Sequence, residues 1–208
     1  MEITETMERK DIDYFISRID RSRLEKRPSA LRIHIGDSKS LLLGGMEYFS
    51  GHHAEWVEGY DRITGWLSDN GGKSLVVTGP YGVGKTILCM YVLPVLIGQY
   101  YGKIFEKFRA TELCNEANYR KAMAARFVVI DDVGTEGQFI DFGNRHDVFS
   151  EIVDGIEQQG KLVIASTNLT PQELRKKYGE RTFDRLCANA MIANVVSESL
   201  RGKYERKN

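Results

Sequence analysis

The sequence predicts an α/β protein: a parallel five-stranded β-sheet covered by helices on both faces. Three observations predict it. From about residue 54 onward, short apolar runs alternate with longer stretches at helical spacing, the pattern of repeated β-α units. A glycine-rich turn joins the first apolar run to the helix behind it. A second run, residues 127–130, is apolar throughout, as a strand buried on both faces must be, and it ends in Asp131 and Asp132.

Taken in order, residues 54–67 read as a helix, with Trp56, Tyr60, Ile63 and Trp66/Leu67 on one face and Asn70-Gly71-Gly72 as its stop. Residues 74–78 form the first strand. Residues 85–97 form a helix that Pro94 kinks or ends, because proline lacks the N–H and crowds the preceding turn. A strand is expected over 104–110 and a helix over 111–124. The strand 127–131 follows, then a helix over 145–159 with Val148, Phe149, Ile152, Val153 and Ile156 on one face. Residues 162–167 form a further buried strand, 171–178 a helix with proline at its start, and 191–196 the last strand. The first fifty residues read as irregular and form a segment of their own before a main domain spanning 51–208.

The 208 residues suffice for one sizeable core, and 42% hydrophobic with 28% charged residues belongs to a globular chain. Lys+Arg and Asp+Glu both number 29, so a basic surface for nucleic acid would have to be local. Residues 18–32 hold six basic and two acidic residues, and residues 136–160 hold six acidic and one basic. These strips suit head-to-tail packing or a DNA groove; solvated faces are the plain alternative. Cys89, Cys114 and Cys187 form no CxxC pair, which argues against a zinc site or a disulfide framework. No apolar h-region opens the chain and no run is long enough for a membrane span, so a cytoplasmic protein without a membrane partner is expected.

Residues Gly79, Pro80, Tyr81, Gly82, Val83, Gly84, Lys85 and Thr86 satisfy G-x-x-x-x-G-K-[ST]. The setting between a strand and a helix is the one a phosphate cradle requires. Glycines let backbone N–H groups turn toward phosphate, and the helix N-terminus adds positive potential at the same point. Lys85 is expected to neutralise the outer phosphates of ATP, and the Thr86 hydroxyl to bind Mg²⁺. Asp131 is expected to hold the same cation through water, and Asp132 to position the attacking water. Asn168, at the end of the strand 162–167, is placed to face the γ-phosphate or that water. The plain alternatives are a strand–turn–helix junction, a solvated Asp pair and an ordinary turn at Asn168.

With these motifs, the chain resembles the AAA+ ATPases, and within them the DnaC-type helicase loaders and the IstB-like transposition helpers. The resemblance rests on GPYGVGKT at 79–86, VVIDDVGTE at 128–136, ASTNLTPQEL at 165–174 and YGERTFDRL at 178–186, and covers roughly residues 54–202. It implies a P-loop NTPase with strand order 5-1-4-3-2, and a site completed by a neighbouring subunit of a homo-oligomer. It places Asp132 where most AAA+ ATPases have glutamate. It also makes Arg185 an arginine finger acting on the adjacent subunit's ATP, with Arg181 one turn earlier; salt bridges from both to Glu180 and Asp184 are the alternative. Arg201, in the closing S-L-R-G segment, becomes a candidate phosphate contact. The chain departs from the family in leaving no room for a full C-terminal lid, and its first fifty residues match no loader domain.

The expected function is therefore an ATP-hydrolysing, Mg²⁺-dependent loader that delivers or remodels a replicative helicase on DNA. An IstB-like ATPase regulating a transposase and a non-hydrolysing ATP-binding adapter are the alternatives. A small-molecule kinase would leave ERTFDRL unexplained, and no LSGGQ-like signature points to a transporter ATPase. In the N-terminal segment Ile12, Phe15, Ile16 and Ile19 lie on one helical face, suited to a partner's groove or to the chain's own core.

Overall fold

The structure, a computed structural model, describes residues 30–137, 139–141 and 144–197. The amphipathic stretch 11–20, most of the basic stretch 18–32, and Arg201 lie outside the described residues.

The strands β1 (Ser74–Thr78), β2 (Glu106–Arg109), β3 (Phe127–Val133), β6 (Leu162–Thr167) and β7 (Ala190–Asn194) form one sheet in the order β2-β3-β6-β1-β7, all pairs parallel. A separate antiparallel hairpin, β4 (Phe139–Asp141) and β5 (Asn144–His146), is inserted after β3. Without that hairpin the order is 2-3-4-1-5, which is the expected 5-1-4-3-2 read from the other edge. The central strands β1 and β6 are buried along their whole length. Alternate residues therefore feed two cores. Leu75, Val77, Val129 and Ile164 face one, and Val76, Val128, Ile130, Val163 and Ala165 face the other.

The first core contains a helix where the sequence pattern suggests irregular chain. Helix α1 (Ser38–Ser50) buries Leu42 and Met46, and the segment ahead of it buries Ile33 and Ile35. Asn70 ties that segment down. Its Oδ1 accepts from the Ile33 amide at 2.8 Å, and its Nδ2 donates to the carbonyls of Leu31 at 3.0 Å and Lys73 at 3.1 Å. The glycine pair inside α1, Gly44-Gly45, disguises this helix. Gly45 has a packing reason: a Cβ there would lie 2.6 Å from the Val92 side chain.

Helix α2 (Tyr60–Ser68) starts later than the periodicity predicts. Gly59 has φ 98°, and a Cβ on it would sit 2.1 Å from the Asn194 carbonyl oxygen, so the chain passes β7 too closely for any other residue. Trp56 continues the apolar pattern from outside the helix, packing edge-on against Tyr60 with Lys39 over its ring at 4.2 Å. Helix α3 shows what Pro94 does. An α-turn (Lys85–Ile87) opens into π-helix (Leu88–Val92), then returns to α (Leu93–Tyr101) with the proline in its first turn. The wider turn accommodates the ring and the missing N–H, so the helix continues instead of ending.

On the second face lie α4 (Glu116–Ala124), α5 (Val148–Gln159) and α6 (Pro171–Asn189). A 3₁₀ turn, Ala110–Cys114, occupies the first part of the helix expected over 111–124, and Asn115 caps α4 through its side chain. Helix α6 runs past the expected end at 178 but breaks at Gly179 (φ 82°, ψ 164°), so the predicted boundary survives as a kink.

Candidate nucleotide site

The cradle is built where β1 ends. The Thr78 carbonyl accepts from the Val195 amide at 2.8 Å, which draws the chain after β7 against the start of the loop. Gly79 fits there only as glycine: its φ is 147°, and a Cβ would lie 2.2 Å from the Val195 carbonyl oxygen. Gly82 and Gly84 also have positive φ, at 84° and 85°. Val83 is buried and anchors the loop, while Pro80 and Tyr81 are exposed on its rim. The loop thus presents backbone toward the N-terminus of α3, as phosphate binding requires.

Lys85 is buried, with its ammonium donating to the carbonyls of Gly79 at 2.9 Å and Pro80 at 2.7 Å and to Asn168 Oδ1 at 2.7 Å. Asn168 in turn donates from Nδ2 to Asp132 Oδ1 at 3.2 Å. Three residues from three segments, all singled out by the sequence, thus form one connected chain. Beside it, the Thr86 hydroxyl donates to Asp131 Oδ1 at 3.2 Å. Asp131 is 2% exposed, so its oxygens need hydrogen-bond partners within the protein.

These oxygens fit Mg²⁺. The ion takes hard oxygen donors, and it is commonly held by one or two side chains plus the phosphates of its nucleotide. Thr86 and Asp131 form such a pair. Among the described residues no group of three or more His, Cys, Asp or Glu could hold a metal ion.

The strand carrying the two acids is irregular at that point. Ile130 pairs with Ala165 and Val133 with Thr167, so β3 has one more residue than β6 between the two pairs. The surplus is a β-bulge at Asp131-Asp132, rare in parallel pairs and frequent beside active sites. Asp132 takes φ 58°, unusual for a residue with a side chain. The bulge releases the two acids from strict alternation of faces, and residues at the end of β6 hold both: Ser166 bonds the Asp131 carboxylate and Asn168 that of Asp132.

Sequence reasoning misses two supports. Ser166 is fully buried opposite the bulge and bonds both aspartates. Its signal is visible as the first polar residue at the end of an apolar strand. The other support is Glu136, which accepts from the Gly134 amide at 2.7 Å and from the Tyr178 hydroxyl. Burial, together with Glu136, pushes the Tyr178 hydroxyl far above its ordinary pKa, so it stays a proton donor.

Arg185 is not bonded to the cradle of its own chain. It lies on α6, paired with Asp154 on α5, which holds its guanidinium above the ordinary value. Neither acid next to it in the sequence is its partner: Glu180 pairs with Arg175 at 3.3 Å, and Asp154, thirty-one positions away, takes Arg185. Arg181 is exposed on the same helix. Gly79, Pro80 and Asn168 also border a cleft of about 890 Å³ between α6 and β7, with Phe183 and Ile192 on its walls.

No family model matches the chain, and no curated protein matches it in sequence. Solved structures do match. DnaI is 20% identical with a TM-score of 0.50, over 62% of this chain and 73% of that one. The DnaC helicase loader is 19% identical with a TM-score of 0.50, over 78% and 93%. AMPPCP-bound DnaA from Aquifex aeolicus is 16% identical with a TM-score of 0.51, over 73% and 51%. The fold is that of the AAA+ P-loop NTPases. Sheet order, cradle and acid-bearing strand all agree with it, and the sequence motifs resemble the same group. Among the described residues no helix is long and apolar enough to cross a membrane.

Proposed function

We propose that the chain is a Mg²⁺-dependent ATPase of the helicase-loader type, acting as a homo-oligomer that remodels or delivers a replicative helicase on DNA. The observation that carries the reading is the connected set Lys85–Asn168–Asp132 beside the Thr86–Asp131 pair. It brings a buried ammonium, an amide, a carboxylate and a hydroxyl–carboxylate pair together at one edge of the sheet, which are the groups that binding phosphate, metal and an attacking water calls for. The fold shared with the DnaC helicase loader and with AMPPCP-bound DnaA supports the class of activity.

Each residue then has a role. Backbone amides of 79–86 and the ammonium of Lys85 hold the phosphates. Thr86 and Asp131 hold Mg²⁺, whose charge offsets that of the phosphates and of the transition state. Asp132 orients water for in-line attack, and the Asn168 amide fixes its line of approach. Lys85 and Asn168, now bonded to each other, exchange that bond for contacts to the γ-phosphate. Arg185 completes the site of the neighbouring subunit; within its own chain it pairs with Asp154 and not with a residue of the cradle. A guanidinium suits that task because it remains charged and bridges two oxygens.

The test is equilibrium titration with a fluorescent ATP analogue, followed by turnover measured against protein concentration. Binding that needs Lys85, and specific activity that rises with concentration, are the expected results. Tight binding with no turnover at any concentration would reduce the protein to an ATP-binding adapter.

A further inference from the structure

One hydroxyl holds the irregular end of β3 in place. Ser166 lies in β6 directly across from the bulge, 0% exposed. Its Oγ accepts from the Asp132 amide at 3.0 Å and donates to Asp131 Oδ1 at 2.5 Å. The first bond satisfies an N–H that the interrupted ladder cannot serve. The second fixes the rotamer of a buried carboxylate whose same oxygen meets Thr86. Removing the hydroxyl takes away the partner that the backbone of Asp132 and the carboxylate of Asp131 have in common.

We infer that Ser166 is a positioning residue: through its two bonds it sets the bulge, and so aims Asp131 at the metal position and Asp132 at the water position. The inference rests on the ATPase reading, but it assigns the metal dependence of nucleotide binding to a residue that touches neither metal nor nucleotide. A serine present only to fill space would make a different prediction. The neighbouring positions 162–165 of β6 are wholly apolar and equally buried, so burial at this site does not call for a hydroxyl.

The experiment compares Ser166→Ala, Ser166→Cys and Ser166→Thr with the wild type. Affinity for a fluorescent ATP analogue is measured with excess chelator and across a Mg²⁺ titration, with melting temperature as a control for folding. Loss of one hydrogen bond to a charged group predicts that Ser166→Ala needs roughly tenfold more Mg²⁺ for half-maximal enhancement of binding. Its metal-free affinity should stay within about twofold, because the cradle is untouched. Ser166→Thr, which restores the hydroxyl, should return most of the shift. If Ser166→Ala melts too low to titrate, Ser166→Cys, close in shape but a weak hydrogen-bonding partner, should show the same shift at smaller size. An unchanged Mg²⁺ requirement in a folded Ala or Cys variant overturns the assignment, as does an equal loss of affinity with and without Mg²⁺. Failure of the wild type itself to bind nucleotide would instead remove the ATPase reading.

Discussion

Lys85 and Asn168 meet across the sheet edge, the ammonium 2.7 Å from the amide oxygen, although eighty-three positions separate them. Parallel pairing of β1 with β6 makes this possible, because it brings the C-terminal ends of the two strands to the same edge. Through the Asn168 amide the meeting extends to Asp132, and so ties the phosphate loop to the acids of β3.

Lys85→Ala is expected to abolish nucleotide binding at ordinary concentrations. A charge-assisted contact contributes roughly 1.5–3 kcal/mol, and ~3 kcal/mol is more than a hundredfold in affinity. Titration with a fluorescent ATP analogue checks it; undiminished binding would remove the phosphate-cradle assignment.

Asn168→Ala should separate binding from chemistry. The amide bonds Asp132 and Lys85, so its loss should lower turnover by about tenfold to a hundredfold, while Kd for ATP shifts by less than about tenfold. Steady-state kinetics beside equilibrium binding distinguish the two. A large rise in Kd with unchanged turnover would make Asn168 a binding residue only.

A chain beginning at residue 51 should not hold the native fold. It removes Ile33, Ile35, Leu42 and Met46, all buried in the core beneath the cradle. At roughly 1.5–3 kcal/mol for each buried side chain, the loss is comparable to the whole stability of a typical domain. Chemical denaturation and size-exclusion chromatography check it. A monodisperse, cooperatively folding truncation would show that this packing is dispensable. A chain beginning near residue 30 should fold and bind nucleotide; if residues 1–29 dock a partner, a protein that co-purifies with the full chain should be absent from preparations of this one.

The sheet and the cradle are legible in the sequence because both are local patterns. A buried strand is a short apolar run, and the phosphate loop is eight consecutive residues whose types are dictated by backbone geometry. Asp131, Asp132 and Asn168 are legible as polar residues at the ends of apolar strands. What stays hidden depends on packing between distant segments. The start of α2 is set by the approach of Gly59 to Asn194, and helix α1 by burial that outweighs two interior glycines. Pro94 announces a disturbance in α3 without saying that a π-turn absorbs it. Asp154 as the partner of Arg185 follows from the contact of α5 with α6, which no local pattern encodes.

The measurement that bears most directly on the central claim is a mixing experiment with two single variants, Asp132→Asn and Arg185→Ala. Each alone should keep nucleotide affinity nearly intact and lose turnover; arginine fingers elsewhere contribute ~10³-fold or more. If Asp132 acts within its own subunit and Arg185 on the next, interfaces in the mixture that pair an intact Asp132 with an intact Arg185 should recover a fraction of the wild-type rate. The recovered activity should rise with total protein concentration. A mixture no more active than the sum of its two parts, with wild-type activity independent of concentration, would contradict an ATPase site shared between subunits.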